Sequence, residues 1–155
     1  MSFIRPGLIV LTALLAAAAA AHSAPPSKAE QTIDYRHSVY HVIAWNVHKL
    51  GAAVEGKVPY DKDAFALQAA RVAMLAPMLP EGFPEGSYVK GKTEAKPEIW
   101  KNRAEFDELM KKLATKSAAL AEAAKSGDLA KAKPAFNELT QVCKSCHDTF
   151  KAEDD

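Results

Sequence analysis

Apolar residues recur at three- and four-residue steps in four separate segments of the chain, and nowhere do polar and apolar residues alternate as in a half-buried strand. In the first segment, residues 29–50, Ile33, Arg36, Tyr40, Ile43, Ala44, Val47 and Leu50 mark one face of an amphipathic helix that Gly51 is expected to stop. A GKVPYD turn follows. Asp61 or Asp63 is placed to cap the second helix, whose stripe is Phe65, Ala69, Val72, Leu75, Ala76 and Leu79; Pro77 implies that its last turn bends or frays. The third helix opens at KPEIW, where Pro97 and Glu98 suit a helix start, and carries Ile99, Arg103, Phe106, Leu109, Met110, Leu113, Leu120 and Ala124. Gly127 ends it. Asp128 is positioned to cap the fourth, which places Ala132, Phe136, Leu139, Val142, Cys143, Cys146 and Phe150 on one face. Pro134 either begins that helix or kinks it early. Short first and third links, with a longer proline- and glycine-rich link over residues 80–96, predict an all-α fold: an antiparallel up-down-up-down four-helix bundle.

The bundle accounts for residues 24–155. Residues 1–23 have the order of a secretory signal peptide: one basic residue, Arg5, then an apolar run over residues 8–21, then small residues. That run is shorter than the ~20 residues a membrane span needs, and a cut after Ser23 places Ala21 three positions before the bond. The expected protein is exported, with no membrane association once the signal is removed. Without Arg5 the basic residues equal the 19 acidic ones, so no basic surface for nucleic acid is indicated. Roughly 130 residues suffice for a core without disulfide staples.

The only two cysteines lie in QVCKSCHDTF, three residues apart and followed at once by a histidine. A disulfide across two intervening residues would close a loop too small to restrain the unfolded chain much. On a helix, Cys143, Cys146 and His147 project from one side. A redox dithiol prefers a helix N-terminus after a strand, and this pair sits late in a helix. Zinc would take these three side chains and one histidine of helix one. Covalent haem needs two thiols for its vinyl groups and an imidazole for its iron, and C-x-x-C-H is its attachment signature, so haem is the favoured reading. Helix one carries His37, Tyr40, His41 and His48 but no methionine; His37 sits at the margin of the inward stripe and His41 and His48 fall to one side of it, where a solvated surface histidine is the ordinary reading, and Met74, Met78 and Met110 fit core packing better than ligation. Tyr40, at the centre of the inward stripe, reads either as a core aromatic or as the distal wall of a haem pocket. Tyr35, Val42 and Trp45 form a narrower second face of helix one and a candidate dimer seam.

In CKSCHDTF near the C-terminus, DYRHSVY in helix one, GKVPYD between helices one and two, and KPEIW at the start of helix three, the chain resembles cytochrome c′, the class II c-type cytochromes of bacteria. The resemblance implies a homodimer with one covalently attached haem c per subunit and a five-coordinate, high-spin iron. It matches Cys143 and Cys146 to the thioether positions and His147 to the axial iron ligand. Arg36 and His37 match the helix-one pair beside the haem, where the arginine meets a propionate; His37 stands where glutamine is common. Glu94 matches a loop region that approaches the haem, and Tyr40 the distal position, often leucine or an aromatic. Lys151 stands where the family often has arginine, and offers a point charge in place of a planar fork. The implied function is that of a periplasmic haem protein, not an enzyme. It would transfer electrons with unidentified periplasmic redox partners, bind small diatomic ligands such as nitric oxide and carbon monoxide, or do both. The alternative on the same bundle is a low-spin, six-coordinate electron carrier whose second axial ligand comes from helix one, from His37 or His41.

Overall fold

A computed structural model describes residues 25–152; the signal peptide expected over residues 1–23 lies outside them. The helices are α1 (Lys28–Val54), α2 (Lys62–Leu75), the single turn α3 (Glu98–Lys101), α4 (Arg103–Ala124) and α5 (Leu129–Phe150), with a 3-10 segment, Ala76–Gly82, continuing α2. The four long helices form an antiparallel bundle in which α4 packs on both α5 and α2, and α2 on α1. Direct contact between α1 and α5 is sparse because a cavity lies between them.

The caps follow the sequence. Ser27 and Glu30 form a reciprocal capping box at the start of α1, Asp61 accepts from the backbone of Asp63 and Ala64, and Asp128 accepts from that of Ala130. Gly127, at φ 68°, turns the chain between α4 and α5. As Pro77 implied, α2 gives way to a tighter 3-10 turn. Pro134 neither starts α5 nor displaces its cap, and sits within the second turn.

Four expectations are corrected. α1 does not stop at Gly51 but runs to Val54: Gly51 keeps helical geometry, with no positive φ, and a Cβ there would merely touch Phe136 Cζ of α5 at 3.4 Å. The third helix is broken at Asn102, whose φ of −110° and ψ of 46° separate α3 from α4. The break sets Trp100 Nε1 to donate to the Pro84 carbonyl (3.0 Å) and Arg103 Nη1 to the Phe83 carbonyl (2.7 Å), which ties the long link to the bundle. The buried stripe of α1 is Ile33, Arg36, Val39, Ile43, Asn46, Leu50 and Ala53, leaving Tyr40 and Val47 at its edge. Met74 is 66% exposed and packs in no core, whereas Met110 does.

The core joins Leu50, Phe65, Val72, Leu79, Phe106, Leu120 and Leu139, all fully enclosed. Phe83, from within the proline- and glycine-rich link, joins them, meeting Phe106 edge-on at 4.8 Å. Gly82, at the end of the 3-10 segment, seats that segment directly on α1: a Cβ there would stand 2.7 Å from the Arg36 Cβ. Gly82→Ala is therefore expected to destabilise the protein by about 1–3 kcal/mol, the usual cost of overpacking, read as a lowered urea midpoint. An unchanged midpoint would mean that the segment shifts freely off α1.

Candidate haem site

A cavity of about 390 Å³ opens between the N-terminal half of α1 and the C-terminal end of α5. Arg36, His37, Tyr40, His41 and Ala44 of α1 line one side, and Cys146, His147 and Phe150 of α5 the other; Phe83, Ile99 and Phe106 close its apolar floor. Its remaining wall is chain tied to chain. Beyond α5, Lys151 forms an antiparallel bridge with Ala95, Lys96 N donates to the Phe150 carbonyl (2.9 Å), and Ala152 N to the Glu94 carbonyl (2.7 Å). The resulting two-stranded clip holds Thr93, Glu94 and Ala95 against the cavity.

The thiols of Cys143 and Cys146 are free and half-buried on the inner side of α5, packed against the core. Burial raises both thiol pKa values, that of Cys146 to about 11 with a further push from Cys143. Both are thus protonated at neutral pH, unlike the activated cysteine of a redox dithiol. One turn on, partial burial and, secondarily, the Lys151 charge lower the pKa of His147 against the opposing pull of Asp148 and Glu94. The shift favours the neutral imidazole, the form in which histidine ligates a metal.

Across the cavity, the Tyr40 ring meets Phe83 edge-on at 6.4 Å. Burial, with smaller contributions from Cys146 and Cys143, pushes its hydroxyl pKa well above the ordinary value, and Arg36 opposes the shift. Tyr40 therefore presents a neutral phenol towards the α5 sulfurs. Arg36 is 2% exposed. Its Nη2 donates to the Ser87 carbonyl, and its guanidinium lies 4.6 Å from the centre of the Phe83 ring and 5.7 Å from that of Trp100. Its Nε and Nη1 have no hydrogen-bond partner. Burial lowers its pKa, and no carboxylate pairs with it among the described residues. A buried cation left in that condition is costly.

Of the residues that the resemblance matches to a haem site, Arg36, His37, Tyr40, Glu94, Cys146 and His147 all line one cavity, whereas His48 lines a different one. Cys143, one turn before His147, packs against the core and does not itself line the cavity, whereas His41, read from the sequence as lying to one side, does line it, beside His37. Glu94 reaches it with its carboxylate paired to Lys151 Nζ at 3.1 Å. Lys151 is accordingly tethered through both backbone and side chain rather than a mobile charge. Tyr35 departs from expectation: its hydroxyl donates towards the Met78 carbonyl (3.3 Å) and the Glu81 carboxylate (3.1 Å), so it belongs to the α1 contact with the 3-10 segment and not to an outward seam. Phe83 went unremarked in the sequence, where the one signal was a lone aromatic between glycine and proline in EGFPEG.

No three His, Cys, Asp or Glu side chains converge as a metal-holding group among the described residues, which goes against the zinc reading. A planar ligand carrying carboxylates fits what is present: paired thiols and an imidazole on one wall, an apolar floor, and a buried arginine wanting an acceptor. The fold and the site together define a four-helix-bundle haem protein of the c type.

The family model for cytochrome c′ matches residues 31–151. Cytochrome c′ of Rubrivivax gelatinosus is 36% identical over 124 residues, covering 80% of this chain and 96% of the relative. The structure of cytochrome c′ from Shewanella frigidimarina superposes with a TM-score of 0.78 at 40% identity, covering 83% of this chain and all of that one. A nitric oxide complex of a leucine-to-alanine mutant of the Alcaligenes xylosoxidans protein superposes at 0.76 with 27% identity, over 84% of this chain and all of that one. The chain belongs to the cytochrome c′ family, whose members carry one covalently attached haem c per subunit.

Proposed function

We propose that the mature protein is a periplasmic cytochrome with a five-coordinate, high-spin iron that binds small diatomic gases, carries electrons, or does both, and that it is not an enzyme. The observation carrying this reading is the opposition, across one cavity, of the Cys143, Cys146 and His147 face of α5 to Tyr40 on α1. Cys143 and Cys146 would hold the haem by thioethers, and the His147 imidazole would ligate its iron. Arg36 offers its unpartnered nitrogens to a propionate, and His37 and Glu94 border the same edge. When bound, haem supplies an iron that changes oxidation state and has one vacant coordination position. Tyr40 lines the cavity across from the α5 face and would crowd a ligand entering on its side, so only small, strongly bonding ligands such as nitric oxide and carbon monoxide would displace it. The nitric oxide complex of a relative supports this reading. Residues 1–23 serve as the export signal, and no helix among the described residues is long and apolar enough to cross a membrane.

The competing arrangement puts His37 or His41 on the iron as a second axial ligand, since both line the cavity. The absorption spectrum of the ligand-free ferrous protein separates the two. Broad high-spin bands are expected, and sharp, split low-spin bands would replace the five-coordinate reading with the six-coordinate one.

The dimer seam on α1 reduces to Val42, 48% exposed, and Trp45, 63% exposed with the Lys49 ammonium 4.6 Å from its ring centre. A relative described as showing ligand-controlled dimer dissociation (TM-score 0.76, 26% identity) supports a dimer here. Trp45→Lys buries a charge in such a seam and is expected to give monomer in sedimentation velocity. An unchanged dimer mass would place the interface elsewhere.

A further inference from the structure

His37 and His41 stand one turn apart on the edge of α1, with ring centres 6.4 Å apart and planes inclined by 31°. Residues at i and i+4 are neighbours on a helix surface, and two imidazoles so spaced on one helical face are how a helix presents a zinc-binding pair. His37 is half-buried and His41 exposed, so an arriving ion keeps much of its hydration. Neither ring has an ion pair or hydrogen bond among the described residues, which leaves their nitrogens available.

We propose that His37 and His41 chelate a divalent transition-metal ion at the mouth of the α1–α5 cavity, copper(II) by preference. Imidazole nitrogen suits copper, nickel and zinc, and the general affinity order places copper highest. Magnesium and calcium require oxygen ligands and are excluded. Since no third His, Cys, Asp or Glu joins the pair among the described residues, water fills the remaining positions. The site is open and exchangeable, not a structural one. It lies across the cavity from the α5 face, on the edge where His37 borders the proposed propionate, and it requires both imidazoles to be off the iron and His37 to keep a ring nitrogen clear of the propionate. The ligand-free spectrum reports the first condition independently, so failure of the haem reading and failure of this proposal are distinguishable.

The test is titration of the haem-loaded protein with copper(II) and zinc(II), followed by calorimetry and, for copper, by electron paramagnetic resonance. One ion per chain is expected, with copper tighter than zinc and magnesium silent, and with nitrogen couplings from two imidazoles. His41→Ala should weaken copper binding by about tenfold or more, since the loss of even an outer-shell partner costs 10–100-fold, and should remove one nitrogen from the coupling pattern. His41→Gln, which keeps a polar side chain of similar reach, should lose binding equally and guards against misfolding of the alanine variant. His48→Ala, about two turns further along α1, should bind like the parent. Absence of copper binding in the parent, undiminished binding in the His41 variants, or an equal loss in His48→Ala would each overturn the proposal.

Discussion

Replacing Cys143 and Cys146 together with serine is expected to remove covalent haem completely, from one per chain to none. A serine hydroxyl does not form the thioether, and no other cysteine exists in the chain. Denaturing electrophoresis with haem staining reads the result directly. Each single variant retains one anchor and should still stain, because the two sulfurs hold separate points of the same ligand. The double variant should also lose stability, since it leaves the cavity of about 390 Å³ unfilled and the Arg36 nitrogens without an acceptor. Both are conditions that core and buried-charge substitutions show to be destabilising. A haem-stained band surviving in the double variant would place the attachment elsewhere and dissolve the assignment of α5.

The second large effect concerns the opposite wall. The Tyr40 ring is packed edge-on against Phe83 at 6.4 Å, so a ligand that enters on its side of the cavity would have to displace a packed ring. Forcing a packed side chain aside costs about 1–3 kcal/mol, and an energy of that size corresponds to about a 5- to 150-fold change in affinity. Tyr40→Ala is therefore expected to tighten carbon monoxide binding to the ferrous protein within that range. Tyr40→Phe keeps the ring and should remain close to the parent. If the phenylalanine variant instead tracks the alanine one, the hydroxyl and not the ring governs entry. If Tyr40→Ala leaves affinity unchanged, ligands approach by a path that Tyr40 does not guard.

What was legible in the sequence was local. The three- and four-residue steps placed the four long helices, side-chain oxygens at Asp61 and Asp128 marked two starts, and the C-x-x-C-H run selected the chemistry. What was missed depended on neighbours far along the chain. Gly51 reads as a stop in isolation, yet it packs beside Phe136 of α5 in helical geometry and the helix runs on. Met74 keeps the helical step of α2 but falls on its outer side. The burial pattern of α1 is turned towards Val39 and Asn46 because the side holding Tyr40 and Ala44 faces a cavity rather than another helix. Phe83 had no periodic context, being placed by hydrogen bonds from Trp100 and Arg103 to the link around it. The charge of Lys151 was visible, but its anchoring to Glu94 and Ala95 was not, since the bridge joins residues more than fifty positions apart.

The central claim is that α5 holds a haem by two sulfurs and one imidazole while the face beneath Tyr40 stays open to small ligands. Its most direct test is the absorption spectrum of the reduced protein before and after addition of carbon monoxide. A high-spin spectrum that converts to a low-spin, carbon monoxide-bound one is the expected result. A reduced spectrum that is low-spin from the outset and indifferent to carbon monoxide would contradict it.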